Sequence, residues 1–425
     1  MRGPLSFCQA RHLAAGILAS ATMLCASVPA AAPTVDYAAM MRLTVDGWLA
    51  SQSTGGLFPY GFDFRADRPL EPDRMSPSNL IRQAGTTFAL AEYYRYTRDT
   101  RLQEPIQRAL SAFGRHSLPV GKSQAQYWVE RTHVLSLPFA RWKLLYTLEH
   151  LGLLYEKVGD GKVISPDGNY TGALAGTVAL ALLAELVYAD ASGDNRFAEL
   201  RMAWLRGLLS LQIPGGGFRR TPTSIDDSVY YNGEGWLALA VYSDLHRDDT
   251  KAAAALAELD QAMMERYSRH PDPSFYHWGA MAAAQRFTTT RDPRFLTFLQ
   301  NQADYFLDQF PGRHNSTGNY CADMEGLAAT LAVLDRTGKG NTYLAGQIRS
   351  WLSNEVAKLP RLQIQPGQVV IALVGEAPLR APRLAEFPGA FLLGLSQPIT
   401  RVDAAQHCLS AMVMIERDRL ALPPK

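Results

Sequence analysis

Six stretches of the chain repeat one polar-to-apolar plan. "SNLIRQAGTTFALAEYYRYTRDTRL" runs from Ser78, "NYTGALAGTVALALLAELVYADASGDNRF" from Asn169 and "YYNGEGWLALAVYSDLHRD" from Tyr230. "SFYHWGAMAAAQRFTTTRDPRF" runs from Ser274, "NYCADMEGLAATLAVLDRTGKGN" from Asn319 and "RVDAAQHCLSAMVMIERD" from Arg401. Each opens on polar or aromatic residues, passes through Gly, Ala or Ser, continues as an almost uncharged helix and ends at a charged turn. Between them lie amphipathic runs such as "DNRFAELRMAWLRGLLSLQ" and "DPRFLTFLQNQADYFLDQF". A helix apolar all round belongs inside, and one with a single charged face lies outside.

Six such pairs closing on themselves predict an all-α fold, an (α/α)6 toroid of helical hairpins. The competing arrangement, an α-solenoid, calls for a tighter period and has no need of wholly apolar helices. The first hairpin is expected to pair "TVDYAAMMRLTVDGWLASQ" with the helix from Asn79. Residues 361–400, rich in Pro and Gly with short β-branched runs, predict a small β-like insertion ahead of the last inner helix.

The first 30 of the 425 residues read as a signal peptide: Arg2 and Arg11, an apolar alanine-rich stretch, then "VPA" ending at Ala30. Residues 31–425 are then one toroid domain, periplasmic or secreted, with no later segment apolar enough to span a membrane. The 42 basic side chains lose two with the leader, leaving 40 against 40 acidic ones. That neutrality argues against a nucleic-acid partner, which calls for a basic surface. Of four cysteines, Cys321 and Cys408 remain, and a lone pair in an oxidising compartment is expected to form a disulfide. Neither CxxC nor HExxH spacing is present, so neither metal nor cofactor is expected.

If the inner helices all enter from one rim, their N-termini gather polar groups into a cup. Those groups are Arg82 and Gln83; Asp227, Tyr230, Tyr231, Asn232 and Glu234; His277 and Trp278; Tyr320, Asp323 and Glu325; Asp403, Gln406 and His407. Aromatic faces stack on sugar rings, and carboxylates and amides bind hydroxyls, so a poly- or oligosaccharide is the expected partner. Glu234 and Glu325 are the expected acid–base pair, with Asp227 in reserve and His277 and His407 as further catalytic candidates. Each has a structural alternative. Glu234 would offset the helix dipole behind Asn232 as N-cap. Asp403 and His407, at i,i+4, would hydrogen-bond on one face. Arg82 would need an acid partner: Glu234, Glu325 or a uronic-acid substrate.

"IRQAGTTFAL", "YNGEGWLAL", "FYHW", "MEGLAA" and "VDAAQHCLSAM", set in this repeat plan, resemble the helix starts of the six-hairpin glycosidase-like superfamily over most of the mature chain. The resemblance implies the toroid and a carbohydrate substrate. Members are mostly glycoside hydrolases, with polysaccharide lyases and sugar epimerases nearby; no catalytic role carries over residue by residue. A non-catalytic polysaccharide-binding or export protein is the alternative outside enzymology. Terpene cyclases share the toroid, but their aspartate-rich metal motif is not evident. Lanthionine cyclase-like zinc enzymes share it too, and Cys321, His407 and Cys408 lack their Cys-His order.

Overall fold

A computed structural model describes residues 35–70, 77–123, 155–309 and 320–423. The expected leader, 1–30, lies outside them. Among the described residues twelve helices of 13 residues or more follow one another: α1 (Tyr37–Ser51), α2 (Pro77–Thr97), α3 (Gln103–Arg115), α4 (Ala175–Ser192), α5 (Ala198–Leu211) and α6 (Val229–Leu245), then α7 (Thr250–Arg269), α8 (Pro273–Thr290), α9 (Pro293–Gln309), α10 (Tyr320–Arg336), α11 (Tyr343–Val356) and α12 (Val402–Arg417).

The even-numbered helices are the six apolar runs. They pack in the order α2, α4, α6, α8, α10, α12 and back to α2, which closes the ring. The odd-numbered helices lie outside it. α4 shows why the inner set must be apolar: all residues from Ala175 to Ala189 are buried. By length and composition α4 would cross a membrane, contrary to the sequence expectation, but in this fold it is core. The first helix also departs from expectation. α1 packs mainly on α12 rather than on α2, so it covers the seam where the ring closes.

The charged turns between inner and outer helices have a shared physical reason. In "TRDTR", "SGDNR" and "TRDPR" the second residue adopts a left-handed conformation (Arg98 φ 60°, Gly193 φ 74°, Arg291 φ 60°), which terminates the inner helix. The aspartate that follows accepts the next free backbone N–H groups: Asp99 from Arg101, Asp194 from Arg196, Asp292 from Arg294. Asp249 does the same at the start of α7, from Lys251 and Ala252.

Four strands tie the two ends of the ring together. β1 (Gly61–Asp63) pairs antiparallel with β2 (Arg68–Pro69) and with β8 (Gln397–Arg401), and β8 also pairs with β7 (Leu392–Gly394). The register sets Gly61 opposite Arg401 and Phe62 opposite Thr400. The Val402 N–H donates to the Tyr60 carbonyl at 2.9 Å, so the loop after α1 is stitched to the first residue of α12. The expected small hairpin is β5 (Val370–Ile371) with β6 (Leu379–Arg380). A further antiparallel pair, β3 (Ser117–Ser123) with β4 (Tyr155–Ile164), lies against α5.

Candidate functional site

The inner helices do share a rim, and small residues make it tight. At Gly176, in the first turn of α4, a methyl group would lie 2.6 Å from Ile81 Cδ1 and from Tyr231 Cδ1, and closer still to Glu234 Oε2. At Gly233 it would lie 2.6 Å from Trp278 Cβ, and at Gly326 it would lie 2.8 Å from Tyr276 Cε1. Glycine at these positions lets α2, α4, α6, α8 and α10 approach closely enough for their opening turns to meet.

Glu234 stands in the second turn of α6 and is 4 % exposed. Its Oε2 has no hydrogen-bond partner among the described residues. Burial without a compensating charge pushes its carboxyl well above the ordinary value of 4.5. Beside it, burial and then the Glu234 charge push the Tyr231 phenol up to about 12, against Arg220 and Arg82.

The second carboxyl, Glu325 of α10, is fully buried. Its Oε2 lies 2.6 Å from His407 Nδ1 of α12, while its Oε1 has no partner among the described residues. Burial raises its carboxyl too, but here the charge and the hydrogen bond of the His407 ring oppose the rise. His277 of α8 stands edge-on to His407, with ring centroids 5.3 Å apart. Its Nε2 is buried and unpartnered among the described residues. Burial, and then the neighbouring His407, pull its pKa well below 6.5, so this imidazole is neutral. Ligand atoms of His277, Glu325 and His407 all lie within 4.8 Å of one another.

The i,i+4 pairing expected within α12 is replaced by pairing across helices. Asp403 accepts from Arg82 Nε at 2.9 Å and from Arg401 at 2.5 and 2.7 Å. Burial favours its neutral form, but the Arg401 hydrogen bonds, with the charges of Arg401, Arg82 and His407, hold its carboxyl below the ordinary value. The acid partner of Arg82 is therefore Asp403, and the carboxylate on His407 is Glu325. Arg401, which ends β8, and Tyr60, whose ring lies 5.6 Å from the Arg82 guanidinium, are rim residues that sequence reasoning missed. The signal for Arg401 was its place immediately ahead of "VDAAQH".

Other expected site residues hold the frame. α6 starts at Val229 behind Ser228, so Asn232 is inside the helix and is not its N-cap. Its side chain accepts from the Phe218 N–H at 2.8 Å and donates to Asp227 at 2.8 Å and to the Tyr267 hydroxyl at 3.0 Å. Asp227 also bonds Arg266. Gln83 is 1 % exposed and clamps both backbone groups of Phe58 and the Asn79 side chain. Gln406 Nε2 lies 3.2 Å from His407 Nδ1. Trp278 is buried against Phe88 and His407. Asp323 is half-buried in the first turn of α10, Tyr230 is 47 % exposed, and the side chain of Tyr320 lies outside the described residues.

Cys321, one turn ahead of Glu325, and Cys408, next to His407, form a disulfide with a Cα–Cα distance of 4.7 Å. It joins α10 to α12 at the level of the Glu325–His407 contact. The same bond removes both thiols from the Cys321–His407–Cys408 metal reading.

No protein-family profile matches the sequence, and no curated protein matches it. Solved structures do match in fold. The GH76A α-1,6-mannanase of Salegentibacter sp. HEL1_6 superposes with a TM-score of 0.56 at 9% identity, over 90% of this chain and 100% of that one. An unsaturated glucuronyl hydrolase specific for heparin gives 0.53 at 13% identity, over 91% and 98%. The GH76 α-mannanase BT2949 of Bacteroides thetaiotaomicron gives 0.55 at 8% identity, over 91% and 96%. At these identities the likeness establishes the fold: the chain is a six-hairpin (α/α)6 toroid, built like these enzymes from one end of its ring to the other.

Proposed function

We propose that this protein is a carbohydrate-active enzyme, a glycoside hydrolase whose poly- or oligosaccharide substrate binds at the inner-helix rim. The observation that carries the reading is the division of labour between two buried carboxyl groups. Nothing opposes the burial of Glu234, which suits a general acid that protonates the leaving oxygen. Glu325 has His407 to support its ionised form, which suits the base or nucleophile side. Two carboxyls whose surroundings set their proton affinities apart are what glycosidic cleavage requires. The fold shared with mannanases and a glucuronyl hydrolase agrees with this substrate class. The leader-like N-terminus and the disulfide agree with a periplasmic or secreted enzyme.

The neutral imidazole of His277 favours a second reading, proton abstraction from a uronic acid by a lyase or epimerase. One screen separates the two. Purified protein is offered neutral and uronate-containing oligosaccharides, with reducing ends and unsaturated-uronate absorbance followed together. New reducing ends without absorbance, lost in Glu234→Gln and Glu325→Gln, support the hydrolase. Absorbance that survives in both variants but is lost in His277→Gln refutes it in favour of the lyase. Saccharide binding with neither signal leaves a binding protein.

A further inference from the structure

Three helices deliver three nitrogen and oxygen donors to one buried point. His277 comes from α8, Glu325 from α10 and His407 from α12, and the three are 5 %, 0 % and 6 % exposed. Their ligand atoms lie within 4.8 Å of one another. Two polar atoms on these side chains, His277 Nε2 and Glu325 Oε1, have no hydrogen-bond partner among the described residues. A buried polar atom left unpaired costs on the order of 1–3 kcal/mol, so two in one cluster call for an explanation beyond packing.

We propose that His277, Glu325 and His407 form a binding site for a divalent transition-metal ion, with zinc as its probe. Two imidazoles and one carboxylate are a donor set that suits zinc and leave a fourth position open. The dimensions are close. Donors about 2.0–2.2 Å from a tetrahedral ion lie about 3.3 Å from each other. The widest separation here, 4.8 Å, must therefore shrink. The His407–Glu325 contact, 2.6 Å, must open by less than that. Changes of this size are side-chain rotations, and the helices can stay where they are. The disulfide fixes α10 against α12 beside the site, so two of the three ligands are held before an ion arrives. It also occupies both nearby thiols, which leaves the nitrogen and oxygen donors as the ligands.

The site shares Glu325 and His407 with the hydrolase reading and His277 with the lyase reading, so its test reads metal binding directly and not turnover. Tag-free, oxidised protein is treated with a chelator, dialysed, and titrated with zinc by calorimetry and with cobalt by visible absorption. The expected result is one ion per chain and the intense d–d bands of four-coordinate cobalt. Both should weaken more than about 100-fold in His277→Gln and in Glu325→Gln, since even outer partners of metal ligands are worth 10–100-fold. Circular dichroism checks that each variant is folded, and His407→Asn serves in place of either variant that is not. No binding, binding unchanged in folded variants, or cobalt bands of six-coordinate, water-like character would each overturn the proposal. None of these outcomes touches the hydrolase reading, which stands or falls on the saccharide screen.

Discussion

Glu234 makes the stability of the protein depend on pH in a direction opposite to that of an ion-paired acid. Its folded-state pKa is raised well above the ordinary 4.5, with burial as the cause. In the unfolded chain the group titrates near that ordinary value. Between the two values the folded state holds a proton that the unfolded state has released. The stabilisation is therefore fully present below about pH 4.5 and is lost as pH rises towards the folded pKa, at about 1.4 kcal/mol per pH unit. Glu234→Gln keeps the shape and removes the titration. The variant-minus-native difference in unfolding free energy should be flat in acid, climb with that slope above about pH 4.5, and level off above the folded pKa. Urea unfolding of both proteins at half-unit pH intervals measures it. Shifts at other buried acids, such as Glu185, cancel in the difference because both proteins contain them. Parallel stability curves across the range would show that Glu234 is solvated or paired, and would remove the ground for assigning it the acid role.

Two further predictions concern the frame. Gly176→Ala puts a methyl group against Ile81, Tyr231 and Glu234. Overpacking of about 1–3 kcal/mol should exceed the gain of at most about 1 kcal/mol from alanine's helix preference, so the melting temperature should fall; an unchanged or higher one would refute the close approach. Reducing the Cys321–Cys408 bond, which closes a loop 87 positions long, should cost up to about 4–5 kcal/mol by loop entropy. Urea midpoints of oxidised and reduced protein test this, and coincident midpoints would count against it.

The ring was legible in the sequence because its cause is local. α4 and α6 are apolar on every side, and only an interior accepts such helices. Helix boundaries were less legible. Asn232 looks like a cap, yet Ser228 already starts α6 and the Asn232 amide serves the loop around Phe218. Pairing across the rim was not legible at all. The i,i+4 rule placed Asp403 on His407, but Asp403 answers to Arg82, 321 positions away, and His407 to Glu325, 82 positions away. The same holds for β1 and β8, whose short runs gave no sign that they pair. Charge patterns along one helix say which groups need partners, and only the closed ring says which partners they get.

The seam between α2 and α12 also governs the order of assembly. During synthesis the first five inner helices can form only a crescent, with apolar flanks on α2 and α10 open to water and to other chains. Contacts this distant in sequence form late and are the step at which large chains aggregate. α12 is the keystone that covers both flanks. It also brings Asp403, Gln406, His407 and Cys408 with it, so no Glu325–His407 contact and no disulfide can exist in the open crescent. Completion of the fold and completion of the rim are thus a single event, and the Cys321–Cys408 bond is a covalent record that it has taken place.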